Sequence, residues 1–395
     1  MNIKKVLIIE DDRFQVQLMT RFLEKLTHAS VQRAANGQEA LSHLNHIHKP
    51  DLIFCDLNMP KMDGIEFLRK VSQQKLNSQI VITSVAETEV LSSVIKMADT
   101  YGLLNVLSLK KPINYKSLES LFTQLEQLEE KKVDQFNVSY QASDQEIING
   151  LQYGQFVPFF QPHINATNNQ ICGAEALVRW QHPKIGVLSP DAFLKKLTKL
   201  GLINKLTLTI LDLAIATCVS WHQQGTQYRI SVNVSPLDLT DLNFADRVFE
   251  ILNHYQLPAK YLTLEITETE ICNHLGKALE TMSRLRIKGV EISIDDFGTG
   301  SSSMLQLITS PFRELKVDQF FVRNMFVDPK SYTAVKASLY LAKHLNLRSV
   351  AEGVETEEQA KELKHLGCNI LQGYNYSPAL PAEKFLQWCQ HFQSK

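Results

Sequence analysis

Short runs of consecutive apolar residues alternate with amphipathic stretches over residues 1–125. Val6–Ile9, Leu52–Cys55, Ile80–Ile82 and Val106–Leu109 read as buried strands, with a weaker candidate at Ser30–Ala34. Behind the first run, Phe14, Leu18, Phe22 and Leu26 recur at helical spacing. Strand alternating with helix predicts a doubly wound, flavodoxin-like α/β unit, a parallel sheet with helices on both faces. Such sheets bind ligands beyond the carboxyl ends of their strands. A last helical run, Tyr115 through Lys132, carries Leu118, Leu121, Leu125 and Leu128 on one face. The chain from Val133 to Glu146 is polar and unpatterned, which suits a linker.

A different rhythm follows. Eight short segments read as strands: Phe159–Gln161, Gly173–Arg179, Ile230–Ser235, Leu262–Thr267, Glu291–Asp295, Glu314–Asp318, Ser349–Glu352 and Ile370–Gln372. Amphipathic helices such as Leu206–Trp221 and Ala334–His344 fill most of the intervals. The pattern predicts a (β/α)₈ TIM-type barrel. His163–Cys172, the gap between the first two strands, is too short for a helical crossover, so strand one should run antiparallel to strand two. The expected division is residues 1–125, a helical and polar linker over 126–146, and the barrel over 147–395.

Composition adds little beyond exclusions. Of 395 residues, 44% are hydrophobic and 21% charged, as in a globular protein, and the formal charge of −1 argues against a nucleic-acid or membrane-surface binder. There is no run of about 18 consecutive apolar residues, so no membrane span is expected. MNIKKVLIIEDD turns acidic too soon for a signal peptide. Cys55, Cys172, Cys218, Cys272, Cys368 and Cys389 lack paired spacing and suit a reducing compartment, the cytoplasm.

Chemistry begins at the strand ends. Glu10 and Asp11 close the first run and Asp56 the Leu52–Cys55 run, so parallel strands bring three carboxylates to one edge. Such a cluster needs a cation, and oxygen ligands favour one Mg²⁺. Asp56 is placed to accept a phosphoryl group, with Ser84 and Lys111 completing the pocket. The segments IIEDD, CDLNMPKMDG and SLKKP resemble those of response-regulator receiver domains. The resemblance implies phosphorylation of Asp56, metal ligation by Glu10 and Asp11, a switch through Ser84 and Lys111, and a cognate sensor histidine kinase or phosphotransfer protein. The family's usual aromatic residue three positions before the lysine is here Ser108.

The barrel strands alternate where barrel strands are usually apolar on both faces. Ile230, Val232 and Val234 oppose Ser231, Asn233 and Ser235; Leu262, Leu264 and Ile266 oppose Thr263, Glu265 and Thr267; Ile292 and Ile294 oppose Ser293 and Asp295. Apolar faces meet the helices, so the polar faces point inward. Glu175, Asn233, Glu265 and Asp295 then converge at the carboxyl-terminal mouth, with Lys316 and Glu352 beside them. One lysine among so many acids calls for divalent cations, and an all-oxygen set selects Mg²⁺ or Mn²⁺. Asp296 can hold a second ion with Asp295 bridging, and two ions about 4 Å apart suit in-line attack on a phosphodiester. Lys316 either orients the attacking water or neutralises the site; Glu352 is either a ligand or the base. HExxH, GxSxG and GKS/GKT motifs are absent.

EALVRW followed by HP, then VNVS, LEITE, IDDFGTG, LKVD, AEGVE and QGY, resemble the EAL phosphodiesterase family in order and spacing. That implies a modified barrel hydrolysing cyclic di-GMP to linear pGpG. Glu175, Asn233, Glu265 and Asp295 would hold the first metal, and Asp295 with Asp296 the second. Lys316 and Glu352 would be catalytic, with Glu268 tethering the loop after Asp296. Gln161, Leu177, Arg179, Asp296, Glu355 and Gln372 would contact substrate. A homo-oligomer is also implied. Ser301 and Gln319 stand where the family usually has tyrosine and arginine. The alternative is a degenerate EAL domain serving as a cyclic di-GMP receptor or scaffold. Synthesis of the messenger and DNA binding are not expected, since no GGDEF-type segment or basic patch occurs.

Overall fold

A computed structural model describes residues 3–46, 49–74, 76, 78–85, 88–103, 106–134, 140, 142–267, 275–298 and 304–393. The chain forms two compact units, Met1–Gln135 and Phe136–Lys395.

The first unit is a five-stranded parallel sheet in the order β2-β1-β3-β4-β5, with β1 Lys5–Ile9, β2 Ser30–Ala34, β3 Leu52–Asp56, β4 Gln79–Ser84 and β5 Leu107–Lys110. Alternation along these strands feeds two cores. Leu7, Ile9, Ile53, Cys55, Ile80 and Ile82 face one way, while Val6, Ile8, Leu52, Phe54 and Val81 face the other. The helix Arg13–Leu26 buries Val16, Met19, Thr20 and Leu23 and leaves Phe14 exposed. Its buried face is therefore offset from the Phe14-Leu18-Phe22-Leu26 row, because apolar residues occupy two adjacent helical rows and the sheet takes the other one. In the helix Tyr115–Asp134, Leu118, Leu121 and Leu125 are buried as expected.

The expected polar linker is partly helical. A helix spans Asp144–Gln152 behind a capping box in which Ser143 and Glu146 satisfy each other's backbone N–H groups. Its start lies within the stretch read as unpatterned.

The second unit contains β6 Phe156–Asn165, β7 Ile171–His182, β8 Gly186–Leu188, β9 Arg229–Asn233, β10 Leu262–Thr267, β11 Glu291–Phe297, β12 Glu314–Val317, β13 Arg348–Ala351, β14 Ile370–Leu371 and β15 Leu380–Pro381. β7 and β9 through β14 follow one another in parallel, and β6 closes the barrel antiparallel to both β14 and β7. A tight turn through Thr167–Asn169 replaces the missing crossover helix. It is held by Asn165 Oδ1, which accepts from the N–H groups of Thr167 and Asn168.

The apolar faces of β9, β10 and β11 pack with Leu206, Ile210, Met282 and Leu285 from the surrounding helices. The opposing residues Ser231, Thr263, Glu265 and Ser293 are buried inside. The helix Ile203–Gln223 is long and apolar enough to cross a membrane, although polar residues interrupt its apolar run. Here it packs into the barrel's outer core through Leu206, Ile210, Ala214 and Trp221.

Candidate active site

At the carboxyl edge of the first sheet, β1 delivers Glu10 and β3 ends in Asp56, both buried, while Asp11 is exposed. Ligand oxygens of the three lie within 4.8 Å of one another. Lys111 Nζ sits 2.7 Å from Glu10 Oε2 and 2.9 Å from Asp56 Oδ2. Burial pushes the Glu10 carboxyl up, opposed by Lys111. Burial would lower the Lys111 ammonium, but its hydrogen bonds to Glu10 and Asp56 outweigh that and raise it, so it stays charged. Ser84 is buried at the end of β4, and Ser108 is exposed on β5.

In the barrel, alternation along each strand aims one polar row at the axis, and strand register brings the rows level. Gln161 lies opposite Glu175 across the antiparallel pair, Glu265 beside Asn233, and Asp295 beside Thr267. Lys316, on β12, has no exposed surface. Its Nζ stands 2.6 Å from Glu352 Oε1, 2.7 Å from Glu265 Oε2, 3.2 Å from Asp295 Oδ1 and 3.5 Å from Glu175 Oε2. Asn233 Nδ2 donates to Glu175 Oε1 at 2.6 Å, leaving its carbonyl oxygen as an acceptor. Gln372 Nε2 donates to Glu175 Oε2 at 2.7 Å and Gln161 Oε1 at 2.9 Å.

Asp295 and Asp296 are consecutive, and a regular strand would point them to opposite faces. Instead the β11–β12 register slips between Ile294 and Phe297, and Asp296 adopts a left-handed φ of 55°. As a result ligand oxygens of Asp295, Asp296 and Glu352 lie within 4.8 Å of one another.

One ammonium among four carboxylates leaves a net negative, dry cluster. Burial raises Glu265, Asp295 and Glu352, with neighbouring acids adding to the rise and Lys316 opposing it. Asp296 is pushed up to about 6 by burial and a shared hydrogen bond with Asp318. Glu175 alone goes down, to about 2, because the Lys316 charge and the Gln372 amide overcome its burial. Lys316 rises well above its usual value because the surrounding carboxylates outweigh its burial. Glu265 Oε1 is buried with no hydrogen-bond partner among the described residues. An orphaned carboxylate oxygen within an all-oxygen set fits a hard divalent cation.

The remaining expected residues divide. Leu177 and Arg179 share the inward face of β7 with Glu175 and are half-buried, Arg179 Nη1 donating to the Val178 carbonyl. Glu355 is exposed and pairs with Arg323 at 2.9 Å. Glu268 and Ser301 lie outside the described residues. Gln319 packs beneath the loop after β13: a Cβ on Gly353, whose φ is +65°, would sit 2.5 Å from the Gln319 Cβ.

Two site residues escaped the sequence reading. His163 is buried, with Nε2 3.0 Å from Gln372 Oε1. Burial lowers its pKa, so the neutral ring donates through Nε2–H and holds the Gln372 amide with its nitrogen toward Glu175. Asp318 hydrogen-bonds with the Asp296 carboxyl and caps the helix Gln319–Asn324. Both were accessible by period two, His163 from Gln161 and Asp318 from Lys316.

The family model described as "EAL domain" matches residues 142–379, and that described as "Response regulator receiver domain" matches residues 6–123. The cyclic di-GMP phosphodiesterase RocR of Pseudomonas aeruginosa is 33% identical over 389 residues, covering 98% of this chain and 99% of that protein. The bifunctional diguanylate cyclase/cyclic di-GMP phosphodiesterase MucR of the same organism is 39% identical over 237 residues. That match covers 60% of this chain but only 35% of MucR. A solved structure titled as the PaMucR phosphodiesterase in complex with c-di-GMP aligns with a TM-score of 0.59 at 38% identity, over 61% of this chain and 98% of that one. Order of domains, barrel topology and these likenesses agree: the chain belongs to the EAL family, with a response-regulator receiver domain preceding the EAL domain.

Proposed function

We propose that this chain is a response regulator that hydrolyses cyclic di-GMP to linear pGpG, under the control of phosphorylation at Asp56. The carrying observation is the set of inward carboxylates around Lys316, with Glu175, Glu265 and Asp295 level in strand register and Glu352 just past the end of β13. The names of RocR and MucR support the substrate.

Glu175, Asn233, Glu265 and Asp295 would hold one Mg²⁺ or Mn²⁺, and Asp295 with Asp296 a second. Bound there, the cations would supply an activated water and neutralise charge building on phosphorus and the leaving oxygen. Lys316 cannot be the base, because its neighbours keep it protonated. It neutralises the pocket and directs its N–H bonds at the incoming oxygen. Glu352 is left as the proton acceptor, and burial raises its carboxyl above the ordinary range, which favours taking up a proton. Arg179 offers a guanidinium to a phosphate of the substrate. Gln161, Leu177, Asp296, Glu355 and Gln372 line the remainder, while Glu268 belongs to this reading through family resemblance alone.

In the receiver unit Glu10, Asp11 and Asp56 would hold one Mg²⁺. Lys111, already against Asp56, and Ser84 would meet the phosphoryl oxygens and report the modification.

The test is incubation of the purified full chain with cyclic di-GMP and Mg²⁺ or Mn²⁺, followed by chromatography of the products. Linear pGpG from the wild type and none from Glu175→Gln is expected; intact cyclic dinucleotide from the wild type overturns the hydrolase reading. Beryllofluoride treatment should change the rate in the wild type and leave Asp56→Ala unchanged.

A further inference from the structure

The amino ends of the barrel strands carry a second constellation, independent of the proposed hydrolysis. Arg229 opens β9, Glu291 opens β11, Glu314 opens β12 and Arg348 opens β13. Arg348 Nη2 meets Glu291 Oε2 at 2.6 Å and its Nε meets Glu314 Oε2 at 2.6 Å, while Arg229 Nη1 also bonds Glu291 Oε2. On its own this network is a structural seal for the barrel floor.

A cavity of about 710 Å³ argues for more. Arg229 and Arg348 line it, together with Lys343, Asn165, Ser349 and Asn369. The lining contains three cationic side chains and no acidic one. Glu291 and Glu314 are absent from that lining; they bind the guanidiniums and fix the orientation of the forks. Arg348 Nη1 and Arg229 Nη2 make no hydrogen bond among the described residues, and Lys343 forms no ion pair there. Asn165 and Asn369 are both held through Oδ1, so their amide nitrogens remain as further donors. A concave site with fixed guanidinium forks, a free ammonium and surplus amide donors matches tetrahedral oxyanions. Its volume exceeds an inorganic ion and admits a nucleoside phosphate.

We propose that this basal cavity, at the opposite end of the strands from the carboxylate cluster, is a binding site for a phosphate-bearing small molecule. The site is separated from the acidic mouth by the four residue steps from Arg229 to Asn233 and from Arg348 to Glu352, roughly 13 Å each at ~3.3 Å per residue. Its ligand would touch Arg348 at the start of the strand that ends beside Glu352.

The experiment is calorimetric titration of the full chain in chelator, where the uncompensated acids at the mouth repel anions. GMP, inorganic phosphate, guanosine and succinate are the probes. Saturable binding of GMP, or of GMP and phosphate, with guanosine and succinate silent, is expected, and Lys343→Glu should weaken it by at least about tenfold, a change of 1.4 kcal/mol. Lys343 is exposed on a helix, so this variant should fold, which circular dichroism checks. A tighter response to GMP than to phosphate assigns the ligand as a nucleotide, and equal responses assign it as phosphate itself. Silence from both phosphate probes, equal binding of succinate, or an unaltered affinity in Lys343→Glu overturns the proposal.

Discussion

Replacing Lys316 with methionine isolates the physics of the barrel mouth. In the metal-free protein the ammonium is, among the described residues, the only positive charge within 3.5 Å of four carboxylates, so the cluster goes from a formal −3 to −4 on its removal. Removing one partner from a buried ion pair costs about 3–5 kcal/mol. With a urea m-value of about 3 kcal/mol/M for a domain of this size, the unfolding midpoint of the barrel should fall by about 1–1.7 M in chelator. Divalent cations that bind only the folded state add RT ln(1 + [L]/Kd), about 4 kcal/mol at a thousandfold excess over Kd. They should stabilise the variant more than the wild type, because they no longer compete with the ammonium.

Acid should help the variant too. Glu265, Asp295 and Glu352 already have folded-state values above their unfolded ones. The folded state therefore binds more protons, and stability rises as pH falls through the raised values toward the ordinary carboxylate range. Glu175, lowered to about 2, acts oppositely and only at strongly acidic pH. Urea unfolding followed by tryptophan fluorescence, with chelator and with Mn²⁺, provides the readout. Equal midpoints for variant and wild type in chelator, or a gap that Mn²⁺ leaves untouched, would refute the view that Lys316 stands in for missing cationic charge.

Metal affinity at the mouth should weaken as pH falls below about 6, where Asp296 takes up its proton, and calorimetry at pH 5 and pH 7 should show the difference. His163→Leu should leave Gln372 Oε1 unpaired and free its amide, lowering kcat and metal affinity by about 10-fold, the range for groups that orient ligands; an unchanged metal titration counts against this role. Gly353→Ala should destabilise the fold by about 1–3 kcal/mol and depress kcat more than it alters KM, since the added methyl meets Gln319 and must sit at positive φ; a wild-type melting curve would contradict the packing described.

The sequence made the inward-facing acids legible because period two needs only local order: Glu265 among Leu264 and Ile266, Asp295 after Ile294. The short gap after His163 likewise announced the antiparallel strand. What stayed hidden depends on long-range choices. Helix Arg13–Leu26 has two apolar rows, and only docking on the sheet selects the row of Val16, Met19 and Leu23. The capping box at Ser143 was readable from its S-x-x-E spacing but was masked by polar surroundings. The pairing of Glu355 with Arg323 joins segments that sequence distance does not connect. Nor does local pattern reveal that Gln372 bonds His163, whose partner lies on the opposite edge of the closing strand.

The left-handed backbone at Asp296 sets fold robustness against chemistry at one residue. Asparagine or glycine tolerates that conformation better than aspartate, and either would remove a crowding negative charge. Selection for heat resistance without regard to turnover should therefore enrich replacements at position 296. Lineages that abandon hydrolysis are expected to drift there first, gaining a sturdier barrel as they lose the Asp296 carboxylate.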